Sequence, residues 1–175
     1  MTQHPVDELE TAAAFYAELD LDVSYFGAQW HTFNVGHLLV TDLDRITRRH
    51  GISIADLHLL GALRIDRPKP LRPTDIARTL NVSNAVLTPR IAKLERAGLL
   101  IREASADDRR AVTLRLTPDG TAKAVAIVAE LGREANFVRY YKRLPEDDRM
   151  ALTRIMGELH NMLDRDFLAA SRGKL

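Results

Sequence analysis

The stretch RPTDIARTLNVSNAVLTPRIAKLERAGLLIREASADDRRAVTLRL, residues 72–116, decides the fold because it encodes two short helices followed by two strands. Thr74 precedes Asp75, and a hydroxyl followed by an acidic residue in the first turn is typical of a helix start. A tight turn follows at Asn81, after which Ser83 can cap the second helix. This order predicts a helix-turn-helix.

The second helix has two chemically different faces. Its apolar stripe has the i, i+4, i+7 spacing of a core-facing helix and consists of Leu87, Ile91 and Leu94. The other face carries small, hydrogen-bonding and charged side chains, namely Asn84, Ala85, Thr88, Ala92, Lys93 and Arg96. Such a face suits the major groove of DNA. We therefore predict DNA contacts from Thr74, Ser83, Asn84, Thr88, Lys93 and Arg96.

A two-stranded wing is predicted after Gly98, which can end the second helix in a left-handed conformation. Residues 99–103 and 111–116 each have a strand pattern, and a polar loop at 105–110 connects them. The alternation in the second strand places one set of side chains in the core, namely Val112, Leu114 and Leu116. The opposite set, Thr113 and Arg115, should face solvent.

The polar loop of the wing offers Arg109 and Arg110 beside Asp108. An arginine on such a loop can enter a minor groove while a carboxylate positions its neighbour.

The positive charge of the chain is concentrated in the segment that contains the two helices and the wing. Residues 72–116 contain nine basic and five acidic residues, so their net charge is +4, and the remainder carries −3 of the total of +1. A positively charged segment in an otherwise slightly negative chain favours a nucleic-acid-binding surface over a charged surface that contacts only solvent.

Pro89 lies inside the second helix of this segment. Its missing N–H leaves the carbonyl of Ala85 without its helical donor, and a proline in a helix interior costs about 3 kcal/mol. The sequence therefore allows two alternatives. Either the helix kinks at Thr88 and Pro89, or its regular part begins at Pro89 with Thr88 as the cap.

The same stretch resembles the MarR-type (multiple-antibiotic-resistance regulator) winged-helix transcription factors. The motifs that carry the resemblance are LRPTDIA at 71–77, LERAGLL at 94–100, DRR at 108–110, and VTLRLTPDG at 112–120. The similarity extends over about residues 30–167. It implies a homodimeric DNA-binding regulator whose affinity for a pseudo-palindromic operator is set by a small ligand, and it places the family's Asp-x-Arg pattern on Asp108 and Arg110.

The fold class expected is mainly α with a small two- or three-stranded β wing, together with a helical dimerisation region and an extra N-terminal helix at 5–19. Helical patterns cover 29–50, a segment capped by Ser53, 118 to about 141, and a segment that begins at Pro145. We divide the chain into N-terminal dimerisation helices at 1–52, a winged helix-turn-helix at 53–117 and C-terminal dimerisation helices at 118–175. The terminal helices have more apolar surface than the wing domain can cover, which favours pairing with a second copy.

A ligand site is implied by a partial resemblance to the urate-responsive members of the family. In those members, arginines at the positions of Arg90 and Arg102 contact the ligand, and an additional N-terminal helix is present. This chain has His58 where that subgroup has aspartate, and Trp30 is a further candidate contact. Two cations and a histidine would suit a small aromatic or phenolic anion. In the alternative, the arginines pair with Asp108, Glu103 or phosphate and His58 is a core residue.

Several function classes have little support in the sequence. There is no cysteine, so disulfides and thiolate metal sites are excluded. Phosphate-binding, dinucleotide and nucleophile motifs are absent, and we expect no enzyme, metal or cofactor. No apolar run could cross a membrane and no signal peptide is present, so a cytoplasmic location is expected. The prediction is a repressor released by ligand. The alternatives are a ligand-independent or architectural DNA-binding protein and a protein-interaction module.

Overall fold

The computed structural model describes residues 5–19, 21–65, 71–104 and 112–172, with side chains for 10–19, 21–64, 71–104 and 112–166. These residues form eight helices and two strands, α1 (Pro5–Glu18), α2 (Phe26–Arg49), α3 (Ile54–Ile65), α4 (Pro73–Thr79), α5 (Asn84–Arg96), β1 (Leu100–Ala104), β2 (Val112–Leu116), α6 (Pro118–Glu134), α7 (Asn136–Tyr141) and α8 (Glu146–Arg172). They group into two compact units, Met1–Ala129 and Glu130–Leu175. No helix in the described ranges is both long enough and apolar enough to span a bilayer.

The first unit contains a winged helix-turn-helix built from α3, α4, α5, β1 and β2. The two strands are antiparallel, with Leu100 opposite Leu116, and Leu71 adds an isolated bridge to Leu114. The core beneath them is formed by fully buried aliphatic side chains, namely Leu59, Leu60, Ile76, Leu87, Ile91, Leu94, Leu100 and Leu114. The predicted fold class, mainly helical with a small wing, is confirmed.

The start of α4 differs from the prediction. Its N-cap residue is Arg72 in extended conformation, and Pro73 occupies the first helical position, so Thr74 is not the cap. Proline is favoured there because its fixed φ suits the first turn and its missing N–H leaves no orphan donor. After the α4–α5 turn, where Asn81 has a φ of 51°, the predicted cap of α5 is confirmed. The Ser83 hydroxyl accepts from the Val86 amide at 3.3 Å.

Helix α5 is continuous through Pro89 and begins at Asn84. The alternative in which its regular part begins at Pro89 is therefore wrong. The Thr88 hydroxyl donates to the Asn84 carbonyl at 2.7 Å and does not cap a new helix. Because Leu87, Ile91 and Leu94 lie buried on the opposite side, packing holds the helix together across the proline.

Gly98 ends α5 in the predicted left-handed conformation, with a φ of 71°. Its amide donates to the Glu95 carbonyl at 2.9 Å, and the Leu99 amide donates to the Leu94 carbonyl at 2.9 Å, which together form a Schellman motif. Thr117 caps α6 as predicted and also connects it to this turn. Its hydroxyl accepts from the Gly120 amide at 2.9 Å and donates to the Gly98 carbonyl at 2.7 Å.

The alternation predicted for β2 is wrong at one end. Thr113 is buried and its hydroxyl donates to the Glu103 carbonyl at 3.3 Å, whereas Val112 is exposed. Val112 pairs with Ala104 at the far end of the ladder, and its exposure shows that the core does not extend beneath this last pair. Leu114 and Leu116 are buried and Arg115 is exposed, as predicted.

The long helix predicted from 118 to about 141 is divided in the structure. Helix α6 ends at Glu134 and α7 begins at Asn136. The intervening Ala135 has extended backbone (φ −67°, ψ 129°) and is fully buried. In the second unit, α8 carries a stripe of exposed apolar side chains, namely Leu152, Ile155, Met156, Leu159, Met162 and Leu163.

Candidate functional site

The outward face of α5 presents most of the residues predicted to contact DNA. Its core-facing stripe is buried, while the exposed side chains are Ser83, Asn84, Ala85, Val86, Thr88, Pro89, Lys93 and Arg96. Thr74 is exposed on α4. A helix that is packed along one stripe and exposed along the other can enter a major groove without exposing the core.

Three of the polar side chains on this face are engaged within the protein. The Thr88 hydroxyl donates to the Asn84 carbonyl, as described above. Arg96 Nε donates to the Ala92 carbonyl at 3.3 Å. Lys93 Nζ donates to Asp56 Oδ2 at 2.7 Å. These bonds reduce the hydrogen-bonding capacity that α5 has left for base edges.

The Asp56–Lys93 ion pair connects α3 to α5. Asp56 is buried, with 2% of its surface exposed, and its carboxylate also accepts from the Ser53 amide at 2.9 Å. The Ser53 hydroxyl accepts in return from the Asp56 amide at 3.1 Å, which completes a capping box at the start of α3. Burial alone would raise the pKa of Asp56, but the hydrogen bonds from Lys93 and Ser53 outweigh it and lower the pKa. Asp56 is therefore an ionised anchor for Lys93.

A second carboxylate, that of Asp44 on α2, fixes the connection between α2 and α3. Asp44 Oδ1 accepts from the Ile54 amide at 2.9 Å, and Asp44 also pairs with Arg48. The Ile54 hydrogen bond is the main cause of the lowered pKa of Asp44. Neither carboxylate was predicted from the sequence. Ser53 and Asp56 have the S-x-x-D spacing of a capping box, which could have identified Asp56, whereas no local pattern marks Asp44.

The basic residues of the wing strands are paired. Arg102 Nε lies 2.9 Å from Glu95 Oε2, and Arg115 lies 2.6 Å from Glu103 Oε2. The predicted contacts at the loop tip, Asp108, Arg109 and Arg110, lie outside the described residues. Their role in DNA binding stays a prediction.

A cavity of about 680 Å³ lies beside α3 in the first unit. It is lined mostly by aliphatic side chains from α3, the end of α4 and α6, namely Leu57, His58, Gly61, Ala62, Arg64, Thr79, Leu80, Ala124, Val125, Val128 and Ala129. The imidazole of His58 and the guanidinium of Arg64 supply its polar chemistry, with the Thr79 hydroxyl. Its volume falls within the range of small-molecule sites, and its composition suits an apolar ligand with an acidic group.

Of the four predicted ligand contacts, His58 is the one found among the described residues that line this cavity. It is exposed, so the alternative that makes it a core residue is wrong. Arg102 is held by Glu95, and Arg90 is half-buried on α5. Trp30 packs beside Phe26 with ring centroids 6.4 Å apart.

The prediction that His58, Arg90 and Arg102 line one cavity is not met here, because this cavity is lined by His58 and by neither arginine. It contains Arg64, in the last turn of α3, which was not predicted as a ligand contact. The described residues contain no group of three or more metal-ligating side chains close enough to hold a metal ion.

Comparisons with known proteins agree on one family. The model of the MarR family matches residues 45–112. The chain is 32% identical to the HTH-type transcriptional regulator PecS of Dickeya dadantii (strain 3937) over 112 residues, which are 63% of this chain and 68% of PecS. It is 28% identical to the HTH-type transcriptional repressor MdtR of Bacillus subtilis (strain 168) over 118 residues, 67% of this chain and 74% of MdtR.

A solved structure gives the same fold. The transcriptional repressor CouR, bound to a 23-mer DNA duplex, is similar with a TM-score of 0.68 and 22% identity. The similarity covers 80% of this chain and 98% of CouR.

Proposed function

The chain belongs to the MarR family of transcriptional regulators, and from this premise we propose that it is a repressor with a small-molecule inducer. It binds a pseudo-palindromic operator as a homodimer and releases the DNA when a small aromatic or phenolic anion occupies the cavity beside α3. The observation that carries the proposal is the outward face of α5, exposed opposite a fully buried stripe and set in a segment with a net charge of +4.

Dimer formation is supported by exposed apolar surface. Helix α2 exposes Phe33 and Leu38 at 75% and 66%, and α8 exposes the stripe described above. Large contiguous apolar surfaces on a single chain mark sites of association. A two-fold pair would present two copies of α5 to successive major grooves, about 34 Å apart along the duplex.

Ligand control is supported by the composition of the cavity. An aromatic ring can displace water from its aliphatic lining, while His58 and Arg64 can donate to a carboxylate or phenolate. Each such charge-assisted hydrogen bond contributes roughly 1.5 to 3 kcal/mol. The neighbouring residue on α3, Leu57, is buried, and Asp56 binds Lys93 of α5. A ligand that displaces α3 would therefore also displace α5.

The test begins with selection of genomic fragments by the full-length protein, followed by titration of the selected duplex at several salt concentrations. A steep salt dependence and a strong preference over scrambled DNA are expected. Weak binding with no sequence preference would mean an architectural protein. No DNA binding would mean a protein-interaction module.

The second part titrates the protein–DNA complex with benzoate, salicylate and 4-hydroxycinnamate. At least one acid should release the DNA from the wild-type protein, and His58→Ala and Arg64→Ala should require at least tenfold more of it. Arg133→Ala, which replaces an exposed arginine elsewhere on α6, serves as the matched control. If no acid in the panel releases the DNA, or if both cavity variants respond as the wild type does, the proposed inducer site is wrong.

A further inference from the structure

The N-terminal half of the outward face of α5 is apolar. At about 100° per residue, the direction opposite the buried stripe lies within roughly 30° of Ala85, Pro89 and Arg96. All three residues are exposed. Ala85 and Pro89 are four residues apart, so they are neighbours on the helix surface, and the exposed Val86 lies beside them. The N-terminal half of the face is therefore a patch of a methyl group, a pyrrolidine ring and an isopropyl group, and Arg96 lies at its C-terminal end.

The polar groups around this patch are mostly committed elsewhere. The hydroxyl of Thr88, the ammonium of Lys93 and Nε of Arg96 all make the internal bonds described above. Ser83 Oγ accepts from the Val86 amide. Pro89 itself has no backbone donor. Bidentate hydrogen bonds of the kind by which asparagine identifies adenine and arginine identifies guanine are left to Asn84 at the start of the helix and to the terminal nitrogens of Arg96 at its end, on either side of the patch.

The surroundings of the patch indicate what covers it. Segment 72–116 has a net charge of +4, and the patch lies on the exposed helix of a helix-turn-helix, so a polyanionic duplex fits better than an apolar protein surface. In a major groove the one apolar group that a base presents is the 5-methyl group of thymine.

We propose that Ala85 and Pro89 are specificity-determining residues that recognise thymine through its 5-methyl group. This inference rests on the proposed function, because it names the base that the DNA-binding face selects. Each operator half-site then contains one or two thymines under the patch, and the identity of these bases is sensed by packing instead of hydrogen bonding. Arg96 lies two turns from Pro89 on the same face and is not part of the patch.

The experiment uses the full-length protein and the operator obtained by selection. Each thymine is replaced in turn by deoxyuridine, which removes the methyl group and preserves every hydrogen-bonding group. At one or two positions per half-site, the wild-type protein should bind the deoxyuridine duplex about fourfold more weakly, the factor expected for one buried methyl group. Replacing the same T·A pair by C·G should weaken binding further, and 5-methylcytosine should restore part of the loss.

Two variants assign the effect to the patch. Pro89→Ala removes the ring and Ala85→Ser adds a hydroxyl, and each should reduce the thymine-to-deoxyuridine ratio toward one. Pro118→Ala and Ala122→Ser, which change exposed residues of α6, are the matched controls and should keep the fourfold ratio. The deoxyuridine effect itself is measured with the wild-type protein, so the proposal remains testable even if a variant fails to fold.

The outcomes separate this inference from the proposed function. Sequence-specific binding with no deoxyuridine effect at any position would overturn the inference and leave the repressor intact. A deoxyuridine effect that persists unchanged in both patch variants would overturn the assignment to Ala85 and Pro89. Absence of sequence-specific binding, or binding to a protein surface instead, would overturn both.

Discussion

Asp56 is a buried carboxylate whose charge is balanced by a lysine from another helix. Removing Lys93 would leave that charge buried and partly uncompensated, which typically costs about 3 to 5 kcal/mol. Lys93 is itself half exposed, so we expect the lower end, about 3 kcal/mol, for Lys93→Met. Urea denaturation at pH 7 measures the change. Arg96→Met on the same face should lose less than about 1 kcal/mol, and an equally small loss for Lys93→Met would show that the pair does not stabilise the fold.

The lowered pKa values of Asp44 and Asp56 predict how stability depends on pH. For Asp44 the main cause is the Ile54 amide, and for Asp56 burial is outweighed by the Lys93 and Ser53 bonds. Both groups bind protons less tightly in the folded state than in the unfolded chain. Their contribution is therefore complete above the ordinary aspartate pKa of about 3.9 and is lost as the pH falls through the lower folded values.

Chemical denaturation at pH 7, 5, 4 and 3 tests this dependence. Stability should be nearly constant between pH 7 and 5 and then fall, and Asp56→Asn should show a smaller fall because its amide does not titrate. Asp119→Asn, an exposed residue in the first turn of α6, is the control. An equal fall in Asp56→Asn and the wild-type protein would contradict the assignment to Asp56.

At the scale of elements, the contact between α6 and the turn after α5 depends on a glycine. A Cβ on Gly120 would overlap the backbone carbonyl of Leu99, and backbone cannot move aside as a flexible side chain can. Gly120→Ala should therefore destabilise the protein by about 2 to 3 kcal/mol, the usual cost of overpacking. The added Cβ of Gly132→Ala in the same helix meets no atom of the described residues within 4 Å, and this variant should be more stable by about 0.5 to 1 kcal/mol.

Thermal and urea denaturation of both glycine variants give the comparison. If Gly120→Ala were as stable as Gly132→Ala, α6 would not be docked closely on the Leu99 backbone. A loss in Gly120→Ala alone would confirm that this junction, together with the Thr117 bonds to it, fixes where α6 leaves the winged helix.

Most helices were predictable because their signals are local. Ser83, Gly98 and Thr117 were identified as helix boundaries from hydroxyl caps and a C-terminal glycine, and their hydrogen bonds confirm them. Thr74 was wrongly chosen over Arg72 because two start signals were adjacent and the proline decided the position. The break at Ala135 has no proline or glycine to mark it, and its complete burial indicates that packing imposes it.

The candidate site was less predictable because its contacts join residues from different elements of the chain. Lys93 has the helical position of a groove contact, but its partner Asp56 is 37 residues away on α3. Arg102 binds Glu95 across the junction of α5 and β1, so helical periodicity could not relate them. Arg64 joins His58 in one cavity only because residues of α4 and α6 complete the lining, which no linear pattern encodes.

At the scale of the whole molecule, the exposed apolar stripe of α8 is the feature that bears most directly on assembly. Leu152, Ile155, Met156, Leu159 and Leu163 repeat at intervals of three and four residues, so they form one face of the helix. Arg154 and Glu158 form an ion pair on the opposite face. An apolar face opposite a charged one is typical of a helix that packs against another apolar surface, and a two-fold pair of chains would bring two such faces together.

We therefore expect the full-length protein to sediment as a dimer at micromolar concentration, and the double substitution Ile155→Glu with Leu159→Glu to produce a monomer. Four carboxylates would otherwise be buried in one symmetric interface, where their desolvation cannot be compensated. Arg154→Ala, on the opposite face, should remain dimeric. Because a monomer brings one α5 and one wing to the DNA, its plot of log affinity against log salt should have about half the slope of the wild-type plot. A double variant that still sediments as a dimer would exclude this face of α8 from the interface. A monomer with an undiminished salt slope would show that the two halves of the dimer do not bind the operator together.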